Sequence, residues 1–159
     1  MDTLWTPWRF AYLTGAERAS GCVFCQKAEA ADDERNYVVY RGRKNFLVLN
    51  LYPYTVGHVM IVPYRHIATL EESEPGELGE MMELTRRTEA ALRKVYRPQG
   101  LNLGMNIGKS AGAGVADHIH MHVLPRWEAD ANFLSVIGET RTLPEELPVT
   151  WKKLRAQFE

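Results

Sequence analysis

Three histidines alternate with apolar residues in the last third of the chain. They are His118, His120 and His122, and the whole chain contains five histidines. Such alternation predicts a β-strand whose two faces differ. Residues two positions apart on a strand lie ~6.6 Å apart and point to the same side, so we expect three imidazole rings on one face. Packing gives no reason for a row of titratable rings, and the row therefore indicates a functional site.

Two kinds of chemistry use a row of imidazole rings. One is metal binding, because neutral imidazole is the commonest metal ligand in proteins. The other is nucleophilic catalysis at phosphorus, in which one ring attacks and its neighbours stabilise charge on the phosphate oxygens. For the second chemistry the central ring, His120, is best placed to attack. The neighbouring sequence has to decide between the two.

A glycine-rich segment, residues 108–114, leads directly into the histidine row. Its Gly-Lys-Ser is not a P-loop, because the Walker pattern needs four residues between its glycines, and Gly104 and Gly108 enclose three. A P-loop also opens a helix, whereas this segment links two predicted strands. Glycines let backbone N–H groups converge on an anion, and Lys109 and Ser110 add a charge and a donor. We expect an anion-binding loop, with a plain hairpin loop as the alternative, and therefore phosphate chemistry.

The apolar pattern predicts the elements that position these residues. An apolar segment at 44–51 is expected to be a strand buried on both faces, and a helical period over 73–96 predicts a long helix that covers one face of the sheet. The other strands are predicted at residues 36–40, 57–63 and 101–107 and at the histidine row.

Polar residues at the ends of these strands are further candidates. Asn50, near the end of an apolar strand, is either a turn residue or a ligand contact. His58 opens the next strand beside the turn, where its ring could reach an active site. His66 follows that strand in a loop and is a candidate metal ligand. Taken singly, either histidine could instead be structural or solvated.

The two cysteines form a Cys22-x-x-Cys25 motif. In a cytosolic protein this motif indicates zinc or a redox pair, and the predicted flanks lack the βαβ context of the redox pair. Zinc requires two further ligands at a tetrahedral site, for which the downstream histidines are candidates. Two cysteines do not make a disulfide framework.

Composition limits the classes of function. At 159 residues the chain is expected to form a single domain. Its net charge of −1, without blocks of like charge, argues against a nucleic-acid groove or a basic membrane patch. No apolar run approaches the ~20 residues of a membrane span. The N-terminus is aromatic and carries an early acid, unlike a signal peptide, so we expect a cytoplasmic protein whose arm packs on its own domain or on a partner subunit.

The residues from His118 to Leu124 fit the H-φ-H-φ-H-φ-φ signature of the histidine triad (HIT) superfamily, which the chain resembles. The resemblance extends to Asn50–Pro63, Asn106 and the glycine segment. The segments 5–9, 50–54, 125–127 and 131–133 resemble a branch that contains bacterial diadenosine tetraphosphate phosphorylases and is related to the fragile-histidine-triad hydrolases.

The resemblance implies an α+β fold: a five-stranded antiparallel sheet with one long helix and a shorter C-terminal helix, paired as a homodimer. The chain would then be one HIT domain over residues 1–159. It would comprise an aromatic arm at 1–20, a core at 21–127 and a C-terminal extension at 128–159.

The resemblance also implies roles for individual residues. His120 would attack the α-phosphorus of a nucleotide or dinucleoside polyphosphate and form a nucleotidyl-histidine, while His122 and His58 would hold phosphate oxygens or assist the leaving group. Inorganic phosphate or water would then release the nucleotide. Asn50 would bind the ribose hydroxyls. The expected contacts to the phosphate chain are Asn106, Lys109, Ser110, Gly112 and Gly114.

Some bacterial members of the superfamily bind zinc through a C-x-x-C motif and two histidines, which here are Cys22, Cys25, His66 and His118. The implied site is closed and structural, and His118 then needs no role at phosphate.

Several activities stay open at this point. Phosphorylase members can carry a hydroxyl residue just before the triad, where this chain has Gly114 and Val115, so hydrolysis of dinucleoside polyphosphates is a rival. A nucleoside phosphoramidase, a non-catalytic nucleotide-binding protein and a protein with a metal on the histidine row are further alternatives.

Overall fold

The computed structural model describes residues 21–128, 130, 135, 137, 138 and 142–159. The predicted aromatic arm at 1–20 and the segment 131–133 lie outside the described residues. Among these described residues, no helix has the length and apolarity that crossing a bilayer requires. The helices are α1 (Val23–Glu29), α2 (Asp33–Asn36), α3 (Pro75–Tyr96) and α4 (Leu147–Arg155). The strands are β1 (Val38–Arg41), β2 (Asn45–Leu49), β3 (Val59–Pro63), β4 (Gly100–Gly104) and β5 (Met121–Arg126).

The five strands form one sheet in the order β1-β2-β3-β5-β4, and every neighbouring pair is antiparallel. This confirms the expected α+β architecture, with one long helix and a shorter C-terminal helix. The central strands β2 and β3 are consecutive in sequence, and Leu47 pairs with Ile61 in their register. β5 lies between β3 and β4, so it is hydrogen-bonded on both sides.

The centre of the sheet is covered on both faces. Every residue of β2 and β3 is buried, as the two-sided apolar pattern predicts. Side chains alternate across a strand, and here alternate residues enter two separate apolar clusters. One cluster includes Leu47, Leu49, Val59, Ile61 and residues of α3; the other includes Phe46, Val48, Met60, Val62 and Phe24 of α1.

Helix α3 covers the first of these clusters. Its buried face carries Met81, Leu84 and Leu92, whereas Met82 is 56% exposed. Met82 therefore lies on the solvent side of the helix. Pro75 occupies the first turn, where its missing N–H is not needed.

The histidine row is not one continuous strand. β5 begins at Met121, so His122 lies in the strand and His118 and His120 precede it. The pairing of β5 with β3 starts at Met121 opposite Ile61, and the preceding segment instead bonds a loop, with Ile119 N donating to the carbonyl of Ile67 at 2.8 Å. The prediction of three rings on one strand face is wrong for this reason.

One carboxylate of α3 ties the helix to the turn between β1 and β2. The Glu80 side chain accepts hydrogen bonds from the backbone N–H groups of Arg43, Lys44 and Asn45 at 2.8, 2.6 and 2.7 Å. Burial raises the pKa of the Glu80 carboxyl, but these hydrogen bonds outweigh burial and hold the pKa below its ordinary value. The turn therefore depends on a charged acceptor.

Replacing Glu80 with glutamine should lower the free energy of unfolding by about 2–3 kcal/mol at pH 7, because hydrogen bonds to a charged acceptor are the stronger kind. The unfolded carboxyl takes up protons before the folded one as pH falls, so the stabilisation is present at neutral pH and is lost in acid. The difference between variant and parent should therefore shrink between pH 7 and pH 3. Denaturant unfolding followed by circular dichroism measures it.

Glu83 on the same helix is a matched control. Its carboxylate pairs with Arg86 at 2.7 Å, and both side chains are more than half exposed. Such pairs contribute about 0–1 kcal/mol, so Glu83→Gln should change stability by less than about 0.5 kcal/mol. Equal losses from the two variants would contradict the role given to Glu80.

Candidate active site

The turn between β2 and β3 positions Asn50 and His58. Asn50 N donates to the carbonyl of His58 at 3.1 Å, which closes the turn. Gly57 has φ +77°, and a Cβ there would lie 3.1 Å from the Tyr96 ring and 3.2 Å from Leu92. Glycine is therefore required both by the backbone conformation and by the close approach of α3. The His58 side chain that follows is 1% exposed.

Three imidazole rings converge beside this turn. His122 lies opposite Met60 of β3 in the sheet, which brings its ring centroid to 5.1 Å from that of His58. The rings of His120 and His122 are 4.7 Å apart and meet edge to face, at 74°. The structure thus groups His58, His120 and His122, the three histidines to which the resemblance gives catalytic roles, and separates their rings from that of His118.

Hydrogen bonds to backbone groups and between the rings determine which nitrogen of each ring carries a proton. Tyr54 N donates to His58 Nδ1 at 3.1 Å, so a neutral His58 has its proton on Nε2. His58 Nε2 lies 2.9 Å from His122 Nδ1 and donates to it, which leaves the His122 proton on Nε2. His120 Nδ1 donates to the carbonyl of His118 at 2.9 Å. The lone pair of His120 is therefore on Nε2.

Burial keeps this cluster neutral. It lowers the pKa of His58 to about 3, with the neighbouring His122 and His120 adding to the effect. Burial, together with His120, lowers the pKa of His122 to about 4. Burial also lowers the pKa of His120, although the hydrogen bond to the His118 carbonyl opposes it. At pH 7 the site presents an imidazole lone pair on His120 beside an N–H donor on His122.

Asn50 is part of the same group. Its Oδ1 accepts from Tyr52 N at 2.9 Å, and its Nδ2 lies 3.3 Å from His58 Nδ1. The side chain is half-buried and orders the turn that carries His58. Its expected contact with a ribose stays a prediction.

A second cluster forms from Cys22, Cys25, His66 and His118. Their ligand atoms all lie within 4.8 Å of one another. Cys22 Sγ is 3.3 Å from His118 Nδ1, and Cys25 Sγ is 3.3 Å from His66 Nδ1 and 3.7 Å from His118 Nδ1. Tetrahedral zinc with thiolate and imidazole ligands requires sulfur–nitrogen separations of about 3.5 Å. The four residues fit such an ion.

The second nitrogen of His118 supports the fit. His118 Nε2 donates to the carbonyl of Pro63 at 2.9 Å, so its lone pair is on Nδ1, which faces the cysteines. Metal-bound histidines usually have such a partner on the other ring nitrogen. His118 is fully buried, whereas His66 is exposed. The cluster joins the start of α1, the loop after β3 and the segment before β5.

The glycine segment borders this second cluster. Gly108 and Gly112 have φ +82° and +86°, conformations that favour glycine, so both residues shape the loop. Lys109 and Ser110 lie in a short 3₁₀ turn and are exposed, and Asn106 is half-buried beyond β4, which ends at Gly104. A cavity of about 680 Å³ is lined by Cys22, His66, Lys109, Gly114 and Asp117, among others. Their expected phosphate contacts stay a prediction.

Two aromatic residues belong to the site and were missed from the sequence. Phe24, inside the C-x-x-C motif, packs against the rings of both His118 and His120. The Tyr54 ring lies 4.8 Å from the His58 ring and is half exposed. Phe24 is flanked by two candidate ligands and Tyr54 precedes His58 by four residues, but sequence spacing carries no signal for these ring contacts.

Comparison with known proteins identifies the family to which the chain belongs. The model of the HIT domain matches residues 32–129. An AP-4-A phosphorylase of Mycobacterium tuberculosis is 39% identical over 165 aligned residues, which cover 99% of this chain and 85% of that protein. The asymmetrical bis(5'-nucleosyl)-tetraphosphatase of Schizosaccharomyces pombe is 33% identical over 93 residues, which cover 58% of this chain and 50% of that protein.

A solved structure agrees with the fold. A zinc-bound histidine triad family protein from Mycobacterium smegmatis superposes with a TM-score of 0.71 at 28% identity, over 86% of this chain and 92% of that chain. The domain match spans more than half of the sequence and includes Asn50, His58 and all three alternating histidines. The chain therefore belongs to the HIT domain family.

Proposed function

We propose that this protein transfers a nucleotidyl group from a dinucleoside polyphosphate, with diadenosine tetraphosphate as substrate, through a covalent intermediate on His120. The observation that carries the proposal is the free Nε2 of His120, held in place by the His118 carbonyl at 2.9 Å. A neutral imidazole with its lone pair fixed in direction is a nucleophile that needs no further activation. The names of the two similar proteins, a phosphorylase and a tetraphosphatase, support the substrate class.

In the first step the His120 Nε2 lone pair attacks the α-phosphorus and forms a P–N bond. The bond from the α-phosphorus to the bridging oxygen breaks, and its electron pair leaves with the oxygen of the departing nucleotide. His122 Nε2–H donates a hydrogen bond to that oxygen, and His58, which donates to His122 Nδ1, keeps the proton on the required side. The positive charge that develops on His120 is stabilised by the His118 carbonyl on Nδ1.

In the second step an oxygen of inorganic phosphate or water attacks the same phosphorus. The P–N bond breaks and its electrons return to His120 Nε2. Phosphate gives ADP as the released nucleotide and water gives AMP, while ATP leaves in the first step in both cases. We propose that Asn50 binds the ribose. The proposed contacts to the phosphate chain are Asn106, Lys109, Ser110, Gly112 and Gly114.

Turnover of diadenosine tetraphosphate with and without inorganic phosphate should separate the two outcomes. A phosphorylase yields ADP and ATP only when phosphate is present, and a hydrolase yields AMP and ATP without it. Products are resolved by ion-exchange chromatography. Absence of both product pairs would contradict the proposed substrate.

The variant His120→Asn tests the intermediate in the same assay. Loss of the nucleophile should lower kcat by at least about 10³-fold, while AMP binding, measured by calorimetry, should persist because the pocket is otherwise intact. Acid quenching of the parent during turnover should trap labelled nucleotide on the protein, and quenching of the variant should not. Equal labelling of both would place the intermediate on another residue.

We further propose that Cys22, Cys25, His66 and His118 bind one structural zinc ion per chain. The donor set of two thiolates and two imidazoles suits zinc, and the measured separations fit it. Zinc would supply a fixed cross-link between the start of α1 and the segment that carries His118. No step of the reaction is assigned to it.

Replacing Cys25 with serine should abolish zinc binding and lower Tm by roughly 10 °C or more, because metal binding is coupled to folding. Zinc per chain is measured by plasma mass spectrometry and Tm by calorimetry. His122→Asn is the control, since a metal on the histidine row would be lost there and a metal in the Cys/His cluster would not. Zinc loss in His122→Asn alone would contradict the proposed site.

We also propose a homodimer formed through β4. The opposite edge strand, β1, is covered by α4, whose Trp151 Nε1 and Arg155 donate to the carbonyls of Val38 and Val39 at 2.9 and 3.0 Å. On β4, Asn102, Leu103 and Gly104 are exposed. Leu103 is apolar, yet half of its surface is accessible to solvent. Within the described residues no strand pairs with the outer edge of β4. An edge strand with an exposed apolar side chain is a surface on which a second copy can add its own strand.

Replacing Leu103 with lysine should convert the dimer into a monomer, because a charge on an edge strand opposes pairing. Sedimentation equilibrium at several concentrations gives the mass in solution. Val149→Lys, an exposed apolar position on α4, is the matched control and should leave the dimer intact. A monomeric parent, or a dimer that Leu103→Lys does not weaken, would contradict this interface.

A further inference from the structure

Phe24 lies between the histidine cluster and the Cys/His cluster. It is the third residue of the Cys22-x-x-Cys25 motif and the second residue of α1, and it is 3% exposed. Its ring centroid is 5.5 Å from that of His118, which it meets edge to face at 74°. The same ring is 4.9 Å from that of His120, at 49°. One aromatic side chain therefore contacts a candidate metal ligand and the proposed nucleophile.

The His120 ring has three neighbours that fix its orientation. The His118 carbonyl accepts from Nδ1 at 2.9 Å, the His122 ring meets it edge to face at 4.7 Å, and the Phe24 ring packs against it at 4.9 Å. The hydrogen bond fixes one nitrogen but permits tilting about the N–H···O axis. An aromatic ring packed against the imidazole limits that tilt.

We propose that Phe24 is a positioning residue for His120, and that through Phe24 and His118 the Cys/His cluster holds the nucleophile in its attacking orientation. This inference rests on the proposed function of His120. A metal bound by Cys22 and Cys25 would fix the first turn of α1, and with it the backbone of Phe24. Its bond to His118 would fix the residue whose carbonyl holds His120. Both connections end on the same imidazole.

Phe46 offers a matched control. It is fully buried and belongs to the same apolar cluster as Phe24, but its ring contact is with Tyr64 at 5.3 Å. Phe24→Leu and Phe46→Leu therefore remove the same atoms from the same core, and only the first removes a contact with His120. Phe24→Met places an unbranched, flexible side chain at the same site and serves as a second variant if Phe24→Leu does not fold.

The experiment measures kcat and KM for diadenosine tetraphosphate, zinc per chain and Tm in the parent and the three variants. Phe24→Leu and Phe24→Met should lower kcat by about 10- to 100-fold, the loss expected when a reacting group is misplaced by about 1 Å. KM should stay within about threefold of the parent, and the zinc content should be unchanged. Phe46→Leu should lower Tm as Phe24→Leu does but keep kcat within about threefold.

A second readout does not depend on turnover. Long-range ¹H–¹⁵N correlation spectra of the five histidines report which nitrogen of each ring carries the proton. In the parent and in Phe46→Leu, His120 should show its proton on Nδ1 alone. In the Phe24 variants it should show exchange between the two nitrogens, because the looser ring no longer keeps its bond to the His118 carbonyl.

Four results would overturn the inference. The first is an equal loss of kcat in Phe24→Leu and Phe46→Leu, which would mean that kcat falls through lost stability. The second is a raised KM with unchanged kcat in the Phe24 variants, which would make Phe24 a substrate contact. The third is loss of zinc from both Phe24 variants, and the fourth is an unaltered His120 spectrum in those variants. A parent without turnover would refute the proposed function, and the spectra would still decide the role of Phe24.

Discussion

The hydrogen bond from His120 Nδ1 to the backbone carbonyl of His118, at 2.9 Å, is the constraint on which the rest of the site depends. A neutral imidazole has one donor and one acceptor, so this bond places the lone pair on Nε2. The residue that supplies the carbonyl is itself held at both ring nitrogens: Nε2 donates to the Pro63 carbonyl and Nδ1 faces the two cysteines. One short segment therefore contributes His118 to the Cys/His cluster and His120 to the histidine cluster, and the bond between Ile119 and Ile67 holds this segment against the loop after β3.

The sheet and its long helix supply the other half of this arrangement. His58 directly precedes β3 and His122 lies in the neighbouring strand β5, which pairs with β3, and the two-sided burial of β2 and β3 fixes the position of this part of the sheet. Their direct contact at 2.9 Å requires that one of the two facing nitrogens carries no proton, and burial lowers both pKa values well below neutral pH, so both rings are neutral there. The apolar core thus sets the protonation state of the cluster as well as its geometry, because it removes the water that would stabilise a charged imidazole.

Much of this could be predicted from the sequence. The two-sided apolar pattern at 44–51 and the helical period at 73–96 predicted the central strands and α3. The spacing of the histidines and cysteines indicated functional sites, and the resemblance to the HIT family was needed to assign His58 to one cluster and His66 and His118 to the other. The bend before Met121 could not be predicted, because alternation describes a strand equally well whether or not a partner strand extends that far, and β3 begins its pairing with β5 only at Ile61. The contacts of Phe24 with His118 and His120 could not be predicted either. The sequence indicates that a phenylalanine in a helix is buried, but it does not indicate which ring the phenylalanine contacts.

The separation in sequence between Cys22 and His118, 96 residues, has a consequence for how the protein is made. During synthesis the two cysteines leave the ribosome first and His66 follows. His118, the fourth candidate ligand, appears only after four of the five strands have been synthesised. Closing so long a loop is entropically costly until the strands between its ends have paired. Full coordination of an ion would then coincide with the arrival of His120 two residues later, so tight metal retention would mark those chains in which the segment that carries His120 has reached its native place.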